Sequence, residues 1–191
     1  FEKNFSQYFD KLKWVNFGGG HHITRADYDV EGLITLLKDF KSRYPHLKVY
    51  LEPGEAVGWQ TGYLVGTVLD IINNGMDLVI LDTSAEAHMP DTLAMPYRAM
   101  VRNSGLALEK KHTYRLGGNT CLAGDIIGDY SFDKPLEVGD KIIFEDMIHY
   151  TMVKTTTFNG IKLPSIVIKH DENNYQIVKN FGYNDYKMRL S

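Results

Sequence analysis

Three short motifs carry residue types that could act together on a small molecule. A glycine triplet occupies residues 18–20, Glu52 stands before a Pro-Gly pair, and Cys121 lies shortly before Asp125. Glycines let several backbone N–H groups approach an anionic oxygen, so the triplet could hold a phosphate. A carboxylate could pair with a protonated ring nitrogen, and a thiol beside an acid could move a proton. The motifs therefore predict a site for a phosphorylated heteroaromatic cofactor.

Each motif also has a simpler interpretation. The glycine triplet could be a flexible turn, and Glu52 could be an ordinary surface carboxylate. Free cysteines are often small buried hydrophobic residues, although the glycines flanking Cys121 favour an accessible loop. The order and placement of the motifs must decide between these alternatives.

The first half of the chain has a strand-helix-strand pattern. Residues 14–17 and 49–52 predict buried strands, and residues 5–12 predict the end of a helix. Apolar residues at steps of three and four predict a long helix over 27–44, with Thr24 and Asp27 as a capping box and Pro45 ending it. Because barrel enzymes build their sites at the carboxyl ends of parallel strands, the triplet and Glu52 would lie on the same side.

The second half is predicted to be mainly β. Turn residues at 73–75 and 159–160 separate apolar runs, and residues 181–190 suggest a closing helix. The expected strands are 61–72, 76–82, 141–145, 150–157 and 165–170. We therefore expect an α/β segment over 1–58 and a mainly β domain over 59–191.

Composition excludes several classes of protein. The chain has 191 residues, is 43% hydrophobic, carries a net charge of -3 and contains one cysteine. No apolar run is long enough to span a membrane, and no block of basic residues suits nucleic acid. The histidines lack metal-ligand spacing, so no metal is expected. One free cysteine favours a reducing compartment, which makes the cytoplasm the expected location.

The ordered motifs resemble the fold type III pyridoxal phosphate decarboxylases, the family of ornithine, arginine and diaminopimelate decarboxylases. The resemblance rests on Gly-Gly-Gly, Glu-Pro-Gly, the stretch GNTCLAGD at 118–125 and His-Tyr-Thr at 149–151. The stretches NFGGGHHIT and LEPGEAVGWQTGYLV most resemble members that act on carboxylated triamines. The resemblance covers essentially the whole chain.

The resemblance implies the C-terminal part of an alanine-racemase-like (β/α)8 barrel followed by a β-domain, in a homodimer with shared active sites. It implies pyridoxal 5'-phosphate as the cofactor and decarboxylation of carboxynorspermidine or carboxyspermidine in polyamine biosynthesis. Cys121, from the opposite subunit, would return a proton to Cα. Cofactor contacts would come from Gly18, Gly19, Gly20, Glu52, Gly54 and Tyr150.

The substrate contacts are expected to be acidic. Relatives often carry arginine where this chain has Glu55, and an acid where it has Leu122. Glu55 and Asp91 could surround a cationic tail through charge-assisted hydrogen bonds, although Glu55 could be a solvated loop acid and Asp91 a helix cap. Asp125 would lie near substrate or support its loop. His22 or His21 could meet the substrate or cofactor, or cap the next helix.

The family's Schiff-base lysine comes from the first barrel strand, which would precede Phe1. Lys48 borders a predicted strand but at its amino end, opposite the site, so it is not a candidate. The chain is therefore expected to be the carboxyl-terminal half of the enzyme, with the N-terminal half as its partner. Alternatives are a decarboxylase of the same family acting on diaminopimelate or a basic amino acid, or a noncatalytic regulatory homologue.

Overall fold

The computed structural model describes residues 1–190. It divides into two compact units, which comprise residues 1–59 and 60–190. Ser191, the last position of the predicted β domain, lies outside the described residues.

The first unit alternates helices and short strands. Its helices are α1 Glu2–Phe5, α2 Val30–Arg43 and α3 Gly54–Gly58, and a 3-10 helix covers Ser6–Lys11. Its strands, β1 Trp14–Asn16 and β2 Lys48–Tyr50, run parallel, with Asn16 opposite Tyr50. The predicted strand-helix-strand order is therefore confirmed, and the helical stretch expected at 5–12 is found as the 3-10 helix.

Helix α2 begins later than the sequence predicts. Asp29 is its N-cap, and the Asp29 carboxylate accepts a hydrogen bond from the Gly32 N–H at 2.8 Å. The predicted capping box of Thr24 and Asp27 is wrong, because both side chains are bonded elsewhere. Asp27 pairs with Arg25, and the Thr24 hydroxyl donates to the Ala56 carbonyl at 2.7 Å.

One aromatic cluster forms the core of the first unit. Phe9, Phe40 and Leu47 are almost fully buried, and the Phe40 ring stands nearly perpendicular to that of Phe17, with the centroids 5.1 Å apart. Edge-to-face aromatic pairs add about 0.5–1.5 kcal/mol beyond burial. The cluster also includes Val15 of β1 and Val49 of β2, so it packs α2 against both strands.

The second unit is built on a five-stranded sheet within residues 60–190. Its order is β6-β5-β4-β3-β7, with only β4 and β5 parallel. The strands are β3 Leu64–Asn73, β4 Asp77–Leu81, β5 His112–Gly117, β6 Ile126–Phe132 and β7 Lys141–Phe144. The buried side chains of its core include Val79, Leu81, Leu116, Tyr130 and Phe144.

Shorter elements surround the sheet. They are the helices α4 Ala85–His88, α5 Pro90–Ala94, α6 Tyr150–Val153 and α7 Tyr183–Leu190, the 3-10 helix Phe158–Gly160, and the hairpin of β8 Ile166–Lys169 and β9 Tyr175–Lys179. The strands expected at 61–72, 76–82, 141–145 and 165–170 are confirmed as β3, β4, β7 and β8, and the closing helix as α7. Strands β5, β6 and β9 were not predicted.

The predicted strand over 150–157 is wrong. Residues Tyr150–Val153 instead form the helical turn α6, which is closed by the Lys154 N–H donating to the Tyr150 carbonyl at 2.9 Å. The Thr151 hydroxyl donates to Asp91 at 2.9 Å and anchors this turn. The β-branched and aromatic residues here favour a strand, but a long-range contact selects the helix.

Candidate functional site

The side chain of Asn16 connects the glycine turn with the predicted cofactor carboxylate. Asn16 ends β1, and its Oδ1 accepts a hydrogen bond from the Gly18 N–H at 2.8 Å. Its Nδ2 donates to Oε1 of Glu52 at 2.7 Å. Strand pairing makes this possible, because Asn16 lies opposite Tyr50, two residues before Glu52. The two motifs therefore lie side by side at the ends of β1 and β2.

Backbone contacts strengthen this arrangement. The Glu52 N–H donates to the Gly18 carbonyl at 2.8 Å, and the Gly54 N–H donates to the Glu52 carbonyl at 2.8 Å. Gly18 and Gly20 have backbone φ angles of +75° and +79°, which residues other than glycine rarely adopt. A Cβ at Gly19 would lie 3.1 Å from the Glu52 carbonyl. The backbone therefore favours glycine at positions 18 and 20, and the space at Gly19 is tight.

Two predicted substrate residues lie together beside this turn. Glu55 is in the first turn of α3, and its Oε1 lies 3.7 Å from Nδ1 of His22. The contact becomes an ion pair when the imidazole is protonated. Gly54, which is predicted to contact the cofactor, is the first residue of α3 and directly precedes Glu55.

His21 has a buried ring nitrogen that fits an anionic group. Its Nδ1 lies 3.2 Å from the Tyr28 hydroxyl, and its Nε2 is buried without a hydrogen-bond partner among residues 1–190. If the hydroxyl donates to Nδ1, the ring proton lies on Nε2 and needs an acceptor. A donor directly after the glycine turn suits a phosphate there, so the residues present fit the predicted cofactor.

In the second unit, Asp125 is buried, and both of its carboxylate oxygens accept hydrogen bonds. One carboxylate oxygen accepts from the Ser84 hydroxyl at 3.0 Å, the Ala85 N–H at 2.7 Å and the Glu86 N–H at 3.3 Å. The other accepts from the Thr120 N–H at 3.2 Å and hydroxyl at 2.7 Å. These bonds favour the alternative in which Asp125 supports its loop over direct contact with substrate.

Cys121 lies in the loop that Asp125 supports, and it is exposed. Its backbone N–H donates to Oδ1 of Asn159 at 2.9 Å. A Cβ at Gly118, at the start of this loop, would collide with the Asp125 carboxylate. The thiol is therefore accessible on a loop whose main chain is held from both sides.

Asp91 is buried, with 4% of its surface exposed, and only one of its oxygens is satisfied. Oδ2 accepts from the Tyr97 hydroxyl at 2.6 Å and the Thr151 hydroxyl at 2.9 Å, whereas Oδ1 has no hydrogen-bond partner within residues 1–190. Burial and this carboxylate raise the pKa of Tyr97, which keeps the phenol a donor. Asp91 makes no side-chain cap to α5, so the helix-cap alternative is not supported.

Tyr150 begins α6, and its side chain is 56% exposed. The Nζ of Lys154 lies 5.4 Å from the centre of its ring. The helical turn, rather than the predicted strand, sets the direction of this side chain.

Sequence reasoning missed two residues that hold the site, Asn16 and Asn159. Asn16 could have been found from its position two residues before a glycine, since asparagine side chains commonly bond to the backbone two residues on. The sequence pattern did not indicate that Asn159 would contact Cys121, because the two residues are 38 positions apart.

Among residues 1–190, no group of histidine, cysteine, aspartate or glutamate side chains lies together in a way that could hold a metal ion. In residues 1–190 no helix combines the length and apolar character needed to cross a membrane.

Comparisons with known proteins agree with this geometry. Residues 13–148 match the family model described as the C-terminal sheet domain of pyridoxal-dependent decarboxylases. A carboxynorspermidine/carboxyspermidine decarboxylase of Campylobacter jejuni is 53% identical over 99% of this chain and 52% of its own length. A carboxyaminopropylagmatine decarboxylase of Synechocystis is 49% identical over 99% of this chain and 49% of its own length. The chain thus spans about half the length of these relatives.

A solved structure shows the same fold. The crystal structure of Campylobacter jejuni carboxynorspermidine decarboxylase complexed with norspermidine superposes with a TM-score of 0.88 at 54% identity, covering 99% of this chain and 54% of that one. Since the family model also matches most of the sequence, this chain belongs to the pyridoxal-dependent decarboxylases and contains their C-terminal sheet domain.

Proposed function

We propose that this chain is part of a pyridoxal phosphate-dependent decarboxylase that converts carboxynorspermidine or carboxyspermidine to norspermidine or spermidine. The observation that carries the proposal is the Asn16 side chain, which bonds both the glycine turn and Glu52. The similarity to Campylobacter jejuni carboxynorspermidine decarboxylase supports the choice of substrate. In the proposed architecture, residues 1–58 contribute to a cofactor-binding barrel and residues 59–191 form the β-domain, as the division after Trp59 supports.

Gly18, Gly19 and Gly20 would offer backbone N–H groups to the cofactor phosphate. The Tyr150 hydroxyl is a further proposed donor to the cofactor. Gly54 would hold the backbone next to Glu52, whose carboxylate would pair with the ring nitrogen. Bound pyridoxal phosphate supplies a ring that accepts the electron pair left when carbon dioxide departs. Glu52 keeps that ring protonated and positive, and Asn16 orients the carboxylate.

The chain's own acid-base step takes place at Cys121. The bond between Cα and the substrate carboxylate breaks, and carbon dioxide leaves. The Cys121 S–H bond then breaks as a C–H bond forms at Cα, and the thiolate regains its proton from water. We propose that the enzyme is a homodimer in which Cys121 enters the active site of the partner subunit. We expect the Schiff-base lysine to come from the N-terminal half of the protein. We propose a cytoplasmic location for the enzyme.

The substrate tail is cationic, and the proposed contacts are acidic. Oδ1 of Asp91, buried and without a partner among residues 1–190, accepts from an ammonium group of the tail. Glu55 and His22 contact the substrate next to the glycine turn. Asp125 serves the substrate by holding the Cys121 loop in place.

A substrate panel tests the proposal. The complete protein is incubated with pyridoxal phosphate and, separately, carboxynorspermidine, carboxyspermidine, carboxyaminopropylagmatine, diaminopimelate, ornithine, lysine and arginine, and products are measured by mass spectrometry. We expect the highest kcat/KM with the two carboxylated triamines. Turnover confined to diaminopimelate or to a basic amino acid would reject the proposed substrate.

The same protein separates an enzyme from a noncatalytic regulatory homologue. An active decarboxylase shows a cofactor absorbance band that borohydride removes. A complete protein that has no such band and decarboxylates none of the panel would be a regulatory homologue.

A further inference from the structure

The segment that holds Cys121 is itself held by a short helix. Helix α4 begins at the Asp125 carboxylate, which accepts from the N–H groups of Ala85 and Glu86. The same carboxylate binds the N–H and hydroxyl of Thr120, the residue before Cys121. Asp125 therefore joins the start of α4 to one side of the Cys121 loop.

The other side of the loop is joined to the same helix through a second segment. The Thr156 N–H donates to the Ala87 carbonyl at 2.8 Å, and Nε2 of His88 lies 3.1 Å from the Lys162 carbonyl. These two bonds attach residues 156–162 to α4. Asn159 lies within this segment, and its Oδ1 accepts the Cys121 N–H.

Among the two neutral tautomers of His88, only one can make the bond to the Lys162 carbonyl. It is 2% exposed, and burial lowers its pKa, so the ring is neutral. A carbonyl can only accept, so Nε2 carries the proton and donates to Lys162. Nδ1 then accepts from the Thr83 hydroxyl, 3.0 Å away. Both ring nitrogens are used, which fixes the imidazole in place.

These hydrogen bonds form a closed circuit that runs from the Cys121 loop through Asp125, α4, His88 and Asn159 back to Cys121. We propose that Asn159 and His88 are positioning residues that hold the Cys121 loop so that the thiol delivers its proton to one face of Cα. This inference rests on the proposed role of Cys121 as the proton donor. Neither residue has to touch the substrate for this circuit of hydrogen bonds to hold the Cys121 loop.

Asn159 offers the sharper test because its side chain is exposed and its φ is +59°, in the left-handed region. Asn159→Gly keeps that backbone conformation and removes the acceptor for Cys121. Asn159→Asp keeps the acceptor. Asn103→Gly is the matched control, because Asn103 has a φ of +60° and Gly tolerates it equally.

The variants are compared in the complete enzyme with carboxynorspermidine in D2O. The wild type is expected to give monodeuterated product of one configuration at Cα. Asn159→Gly is expected to lower kcat about 10- to 100-fold, since small misplacements of a reacting group cost that much, and to give both configurations. Asn103→Gly should match the wild type in both respects, and Asn159→Asp, which keeps the acceptor but adds a charge, should keep a single configuration. A His88→Phe variant that folds should behave as Asn159→Gly does.

A readout without turnover complements this test. Iodoacetamide alkylation of Cys121 in the cofactor-free complete protein, followed by peptide mass spectrometry, should be faster in Asn159→Gly than in the wild type, Asn159→Asp or Asn103→Gly. Wild-type kcat, configuration and alkylation in Asn159→Gly would overturn the positioning role, as would equal impairment of Asn159→Asp. A Cys121→Ser enzyme with wild-type kcat and configuration would instead overturn the proposed role of Cys121 itself.

Discussion

Nδ2 of Asn16 donates a hydrogen bond to Oε1 of Glu52, 2.7 Å away. Oδ1 of the same side chain accepts a hydrogen bond from the Gly18 N–H, so Asn16 holds the Glu52 carboxylate beside the glycine turn. One amide thus sets the spacing between a proposed phosphate site and a proposed partner of the ring nitrogen. The pairing of β1 with β2 brings both groups to the same strand ends. The proposed cofactor site is therefore preorganised by a residue that does not itself need to touch the cofactor.

Asn16→Ala should weaken cofactor binding in the complete protein. Two hydrogen bonds at about 1 kcal/mol each correspond to roughly a tenfold or larger rise in the Kd for pyridoxal phosphate. The Kd is measured by absorbance titration of cofactor-free protein. Asn73→Ala is the control, because it removes an amide-carboxylate bond of the same 2.7 Å length, from Asn73 to Asp77. Equal Kd values for the two variants would contradict the bridging role.

Gly18→Ala should reduce both stability and cofactor affinity. A non-glycine residue in the left-handed region costs roughly 1–2 kcal/mol of unfolding free energy. Gly75→Ala imposes the same cost, since Gly75 also has a φ of +75° and open surroundings. Denaturant unfolding should show similar losses, whereas only Gly18→Ala should raise the Kd for pyridoxal phosphate. A matching rise in Gly75→Ala would show that the effect is general destabilisation.

Asp91→Asn tests the proposed contact with the cationic tail. The amide oxygen can still accept from Tyr97 and Thr151, while NH2 replaces the oxygen that has no partner within residues 1–190. Since a hydrogen bond to a charged group is worth about 1.5–3 kcal/mol, we expect KM for carboxynorspermidine to rise roughly 10- to 100-fold with a smaller change in kcat. Asp133→Asn, an exposed surface acid, is the control. An unchanged KM in Asp91→Asn would refute the contact.

Stability should fall in mild acid because of His88. Burial lowers the pKa of His88 in the folded protein, although the hydrogen bond to the Lys162 carbonyl and the charges of Asp125 and Asp82 oppose the shift. The unfolded chain therefore takes up a proton first as pH falls. The free energy of unfolding should therefore drop as pH falls below about 7, through the ordinary imidazole range, and level off only below the depressed pKa. His88→Gln should lack this component. Parallel curves of unfolding free energy against pH for the two proteins would rule out the assignment.

The sequence predicted those parts of the fold that depend on local patterns. Helix α2 follows from apolar residues at helical spacing and from Pro45 after its end, and the β3–β4 turn follows from Asn74 and Gly75. Strand β5 escaped prediction because His112 and Arg115 interrupt its apolar pattern. Arg115 instead pairs with Asp129 on the neighbouring strand β6, with Nε and Oδ1 2.7 Å apart. Such pairing across strands cannot be read from one segment alone.

In the candidate site, too, local patterns could be predicted from the sequence and long-range contacts could not. Residues 18–20 and Glu52 could be predicted to be neighbours because parallel strands end on one side of a sheet. The hydrogen bonds of Asp125 could not, since its partners Ser84 and Ala85 are about 40 positions away along the chain. Tyr150 lies in a helix because Thr151 bonds to the distant Asp91, which strand propensity does not report.

Glu52→Gln in the complete protein tests the central claim most directly, because it keeps the size and an oxygen of the side chain for Asn16 but removes the charge. At saturating pyridoxal phosphate, kcat for carboxynorspermidine should fall about 100-fold or more, as for loss of one preorganised electrostatic group, while the cofactor stays bound. A Glu52→Gln enzyme with bound cofactor and wild-type kcat would contradict the assignment of this carboxylate to the ring nitrogen.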